Sequence, residues 1–144
     1  MSRTVKSLIG LLAAWIALWV YHGPMGGGEA FIGGLERQAR EVVAASEVPG
    51  IAVSLDRGPL SRSAVLTGPA NDFQRQGMGG QPGLTGLVGA TEGISGVRWS
   101  DELNRGSRGL PLIAEALALA TIAYLLGLGI GWLLFGRRRK QSYL

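Results

Sequence analysis

The chain has no cysteine and a single histidine in its 144 residues. Without cysteine there is no disulfide framework, no thiolate metal site and no cysteine nucleophile. The one histidine, His22, stands at the end of the first apolar run. The middle of the chain therefore lacks the imidazole that a Ser-His-Asp or Cys-His arrangement needs. A haem held by His22 would require a second histidine from another chain, and the plainer reading is an interfacial histidine beside Tyr21. A phosphate loop is missing too. Gly77-x-Gly79 is followed by Pro82 where the dinucleotide fingerprint wants glycine, and no GK[ST] occurs. Gly83, Gly86 and Gly89 recur every three residues but are too few, and too poor in proline, for collagen. No pair of carboxylates stands in an apolar setting that would separate their pKa values. These absences lead to the expectation of a protein that is not an enzyme and uses no cofactor or metal.

Basic charge is also absent from the middle. The net charge is +4, yet from Gly23 to Pro111 eight arginines meet nine acidic residues, and Glu115 adds one more negative charge. The excess sits at the ends, in Arg3 and Lys6 and in Arg137, Arg138, Arg139 and Lys140. A nucleic-acid footprint places its basic patch on the folded domain. Here the basicity flanks apolar segments, where topology and anionic headgroups draw it. Nucleic acid is excluded as a partner on that ground.

What the sequence does have is two long apolar runs, Leu8 to Tyr21 and Leu110 to Phe135. The second would be about 39 Å long as a helix, against a hydrocarbon core of about 30 Å, and it spans with some tilt. Pro111 suits its first turn, and Trp132 and Phe135 lie beside the basic cluster as interfacial aromatics do. The first run has two readings. Its short length and basic start allow a cleavable signal peptide, with Gly28-Glu29-Ala30 as the small-residue site. Against that, the site lies beyond the apolar end, and Trp15, Trp19 and Tyr21 are bulky, which favours an uncleaved anchor. Basic flanks stay cytoplasmic. Both termini are then expected in the cytoplasm, with the roughly ninety intervening residues across a bacterial inner membrane. The organisation is an anchor over residues 1–22, a glycine-rich linker over 23–28, a periplasmic domain over 29–107, a transmembrane helix over 110–136 and a basic tail over 137–144.

Small residues stripe both runs. Ala123, Gly127 and Gly131 recur every four residues in the second, Gly10 and Ala14 (with Ala13 and Ala17) in the first. Such stripes let helix backbones approach closely where no hydrophobic effect drives association. They point to a contact between the two helices, with another membrane subunit, or with a second copy. Glu115, about 7 Å into the second run, is shallow enough to reach interfacial water.

The intervening segment opens with Pro24-Met-Gly-Gly-Gly28, which reads as a flexible linker. From Glu29 to Ser46 the spacing predicts a helix. Phe31, Leu35, Ala39, Val42 and Val43 share one face, and Glu36–Arg40 and Arg37–Glu41 are paired on the other. Pro49-Gly50 stops it. Ile51–Leu55 and Ser63–Thr67 read as strands joined by the turn Asp56-Arg57-Gly58-Pro59. Asn71 or Asp72 can cap a helix near Phe73, which Gly77, Gly79, Gly80, Pro82 and Gly83 interrupt before Leu84, Leu87 and Val88 resume it. Ile94–Trp99 reads as a turn into a third strand with Val97 and Trp99 on one face. The expected fold is α+β, a small α-β-β-α-β domain flanked by two transmembrane helices, with about eighty residues around one small core.

This order resembles the BON (bacterial OsmY and nodulation) domain. The likeness rests on helix and hairpin, on Val65-Leu66-Thr67-Gly68, on the second helix, and on Gly93-Ile94-Ser95-Gly96-Val97-Arg98-Trp99, from about Ala30 to Ser100. It implies that Gly68 is the strand-end glycine and that Gly96-Val97 turns into the last strand. It further implies a non-enzymatic module that contacts phospholipid or other envelope surfaces. The expected function is a membrane-anchored interaction protein of that kind. The alternative is an accessory or assembly subunit of a larger respiratory or photosynthetic inner-membrane complex, docked through its helices. Membrane lipids, other membrane subunits and self-association are the partners these readings imply.

Overall fold

A computed structural model describes residues 2–102 and 109–135. It is a mixed α+β structure in which two apolar helices at the ends flank a small sheet. The first, α1 (Arg3–His22), is capped by Ser2, whose hydroxyl accepts from the Val5 N–H. The last, α5 (Leu112–Phe135), starts after Pro111, whose carbonyl accepts from the N–H groups of Ala114 and Glu115. Both helices are long and apolar enough to cross a membrane, and their apolar stretches are not buried by the rest of the chain.

Between them, α2 (Gly27–Ala45) leads into a hairpin of β1 (Ala52–Arg57) and β2 (Leu60–Thr67). The hairpin is antiparallel, with Ala52 opposite Thr67 and Leu55 opposite Ala64. After α3 (Asp72–Gln76), two residues each of β3 (Gly77–Met78) and β4 (Gln81–Pro82) make a miniature hairpin before α4 (Leu84–Gly89). The last strand, β5 (Gly96–Trp99), runs parallel to β2, so β2 is central in the order β1-β2-β5.

The period of the central strand shows where the core lies. Ala64 and Leu66 are fully buried against α2 and α4, and join Val53 and Leu55 of β1 and Trp99 of β5. Helix α2 contributes Ile32, Leu35, Ala39 and Val43, and α4 contributes Leu84 and Val88. Trp99, the largest buried side chain, donates its indole N–H to Thr85 Oγ1 at 3.1 Å. Arg75 lies 4.4 Å above its ring. Val97 packs at the edge of the same cluster, so the predicted shared face of Val97 and Trp99 is correct.

Four sequence expectations change. The glycine run is not a flexible linker. Helix α2 starts at Gly27, and the Gly23–Gly26 corner is closed by hydrogen bonds from Met25 N–H to the Val20 carbonyl and from Gly26 N–H to the Gly23 carbonyl. Phe31 is exposed, because Ile32 takes the place on the buried stripe. Arg37 and Glu41 form no ion pair among the described residues, whereas Glu36 and Arg40 do. The hairpin turn is Gly58-Pro59 alone, and β2 begins three residues earlier than its apolar pattern indicates. The interrupted second helix is a finding of its own. The capping box of Asn71 and Gln74 opens α3, and the positive φ of Gly77, Gly79 and Gly80 folds the break into the β3–β4 hairpin.

Candidate functional site

The residues predicted to matter fall into three groups, and only one of them is brought together with a partner inside the chain. In the helix pair, Gly10 meets Tyr124: a Cβ on Gly10 would lie 2.5 Å from the tyrosine oxygen. Tyr124 donates its hydroxyl to the Ser7 carbonyl at 2.7 Å. One turn along, Trp15 Nε1–H donates to Thr121 Oγ1 at 3.1 Å, and the Thr121 hydroxyl donates to the Leu117 carbonyl. Residues that ascend in α1 meet residues that descend in α5, so the two helices are antiparallel. In an apolar surrounding such polar contacts hold helices in register.

The other small residues point elsewhere. Ala14, Ala123 and Gly127 are exposed, and no atom lies within 4 Å of a Cβ built on Gly127 or Gly131. Ala123 and Gly127 therefore stand off the contact with α1, and Gly131, two turns beyond Tyr124, meets no side chain of α1. The contact is made instead by one glycine against one large aromatic.

The basic residues of the ends are only partly described. Arg3 opens α1 and Lys6 is exposed on its first turns. Arg137, Arg138, Arg139 and Lys140 lie outside the described residues. Of the strand-motif glycines, Gly68 has φ +133, and a Cβ there would come 2.2 Å from the Gly50 carbonyl oxygen. Only glycine fits that strand end. Gly96 is different: a Cβ would rest 3.7 Å from Ser63 Oγ, an ordinary contact.

Sequence reasoning missed how firmly the domain is fastened to α5. Arg62 on β2 donates Nε–H to Glu115 Oε2 at 2.7 Å and Nη1–H to the Gly93 carbonyl at 3.0 Å. Glu115 is thus the partner of a domain arginine. Pro111 pairs with Ser61 as a bridge beside β2. Gly109 N–H donates to Ser63 Oγ at 3.1 Å, and Leu112 packs on the core. On the other side, a Cβ on Gly27 or Gly28 would lie 2.5 Å from the rings of Tyr21 or His22. His22 is therefore a packing residue of this corner.

Arginine charge in the domain is largely committed to such pairs. Arg57 binds Glu29 and the buried Glu36, Arg98 holds both oxygens of Asp56 at 2.6 Å, and Arg75 binds Asp101 at 2.7 Å. The hydrogen bond to Glu36, then the charge of Glu29, raises the Arg57 pKa, while the Arg75 hydrogen bond holds the Asp101 carboxyl below the usual range. Neither group changes charge near neutral pH.

At the end of the domain remote from α1 and α5 lie two shallow apolar grooves. One, of about 540 Å³, runs between the end of α2 and the edge strand β1, lined by Val43, Val48, Ile51 and Val53. The other lies between Val48, Phe73, Pro82 and Leu87. Phe73 and Met78 beside it are exposed. Arg40 and Glu47 also line the first groove.

Comparison with family models, curated proteins and solved structures returned no match.

Proposed function

We propose that this chain is a non-enzymatic interaction protein anchored in a bacterial inner membrane. In this reading α1 and α5 cross the bilayer, both termini are cytoplasmic, and the BON-like domain is held on the periplasmic side to contact membrane or envelope surfaces. The observation that carries it is the latch. Arg62–Glu115, the Ser61–Pro111 bridge and the Tyr21–Gly28 corner tie the domain to both helices. An enzyme domain on a tether needs no such fixed orientation, whereas a surface presented to a neighbour does. The absence of cysteine, and of any histidine between Gly23 and Leu144, supports a role in binding over catalysis. Retention of α1 fits this reading too, since Gly28 is buried within the first turn of α2.

A second reading has its own support. Ala123 and Gly127 are exposed and the space beside Gly127 and Gly131 is open, so a helix of another membrane subunit can lie against them. The protein would then be an accessory subunit of a larger complex. The test for both is gentle extraction of the tagged full chain, followed by size exclusion and mass spectrometry. A stoichiometric set of membrane subunits, lost on Gly127→Leu with Gly131→Leu, is the outcome for the accessory subunit. A monomer or dimer carrying phospholipid is the outcome for the envelope module.

A further inference from the structure

We infer that the corner between α1 and α2, with Met25 and Phe31, lies within the outer interfacial layer of the bilayer, so that the domain rests on the membrane. The inference depends on the reading of α1 and α5 as membrane spans. Its starting point is a side chain in an unexpected place. Phe31 is 48% exposed and Met25 70% exposed, although the core lies one residue away at Ile32. Large apolar side chains left open in this way mark a surface that something else covers.

Three features identify lipid as the cover. First, the patch continues the outer surface of α1. Trp19 and Tyr21 are exposed at 61% and 59%, and only the four-residue corner separates α1 from α2. That corner is hydrogen-bonded and packed, so it is no spacer. Phe31 stands four residues into α2, about 6 Å along its axis from the corner, one turn beyond Gly27, on which the Tyr21 ring packs. Second, aromatic and thioether side chains suit that layer, where one end of a ring is apolar and the other wet. Third, three carboxylates close to the two helices are neutralised. Glu29 and Glu36 are paired with Arg57, and Glu115 with Arg62. Unpaired acids would be driven away from a low-dielectric, anionic surface.

The cysteine-free chain allows a direct test. Single cysteines at Met25, Phe31, Met78 and Leu126 are spin-labelled in the full chain in nanodiscs of anionic and zwitterionic phospholipid. Collisions with oxygen, which prefers lipid, are compared with those of a water-soluble nickel chelate. Labels at 25 and 31 are expected to show oxygen-to-nickel ratios several-fold above the label at 78, and between it and the label at 126. Ratios at 25 and 31 equal to that at 78, with 126 in lipid, would overturn the inference and leave the anchor reading intact. Protection of 25 and 31 from both reagents would overturn it as well, since protein would then cover the patch. A water-exposed label at 126 would remove the anchor reading and the inference with it. Met25 is exposed and outside any helix, so its variant remains informative even where the change at Phe31 disturbs α2.

Discussion

Single residues divide sharply into those that the backbone demands and those that it tolerates. Gly68 and Gly96 both belong to the strand motifs, yet only Gly68 combines a positive φ with a carbonyl in the way of a side chain. Gly68→Ala is expected to cost about 2–3 kcal/mol, from backbone strain and the clash with Gly50. Gly96→Ala is expected to stay within about 0.5 kcal/mol of the parent. Thermal unfolding of the two variants in the same detergent checks the contrast, and equal losses would contradict it. The latch makes a second residue-scale prediction. Arg62 and Glu115 are partly shielded, with 32% and 18% of their side chains exposed. A double-mutant cycle of Arg62→Ala and Glu115→Ala is expected to return a coupling of about 1–2 kcal/mol. Additive effects would mean that the pair does not fasten the domain. This pair was hidden in the sequence, because 53 residues separate its members and no local pattern links them.

Elements were more legible than their boundaries. The α2 stripe, the hairpin and the third strand follow from apolar spacing and from Pro49-Gly50 and Gly58-Pro59, where chain-level and local signals agree. Burial then decided what spacing could not. Phe31 and Ile32 are adjacent apolar residues near one edge of the stripe, and only the approach of the sheet selects Ile32. The glycine run looked like a linker because three glycines in sequence carry no packing signal. In the structure Gly27 and Gly28 are there because Tyr21 and His22 fill the space of their side chains. In the helix pair the reading of Gly10 holds, and its partner was not foreseen. Small-residue spacing in α5 was visible, but the contact with α1 uses Gly10 against Tyr124, a pairing of small with large. Gly10→Leu is therefore expected to weaken the α1–α5 contact by about 1 kcal/mol, whereas Gly127→Leu leaves it unchanged. The measure is resistance of the detergent-solubilised chain to heat. A loss for Gly127→Leu equal to that for Gly10→Leu would place the seam on the wrong face of α5.

At the scale of the whole molecule the two helices and the domain form one construction. The helices run antiparallel, so the start of α1 and the end of α5 point to the same side, away from the domain. The core of the domain reaches Leu112 at the start of α5, and the corner after α1 is packed rather than loose. A body joined in this way keeps one orientation relative to the helices. Much of this was legible from the charge at the ends and the two apolar runs. The fixed orientation was not, since it arises from contacts between residues far apart in the chain. The central claim is that this orientation sets the domain across a membrane from both termini. Single cysteines at Ser2, Met78 and Ser142 of the otherwise cysteine-free chain, treated in intact spheroplasts with a membrane-impermeant maleimide, test it most directly. Labelling at Met78, with Ser2 and Ser142 reacting only after the membrane is opened, is the predicted result. Labelling of either terminus in intact spheroplasts, or of Met78 only after opening, would contradict the account.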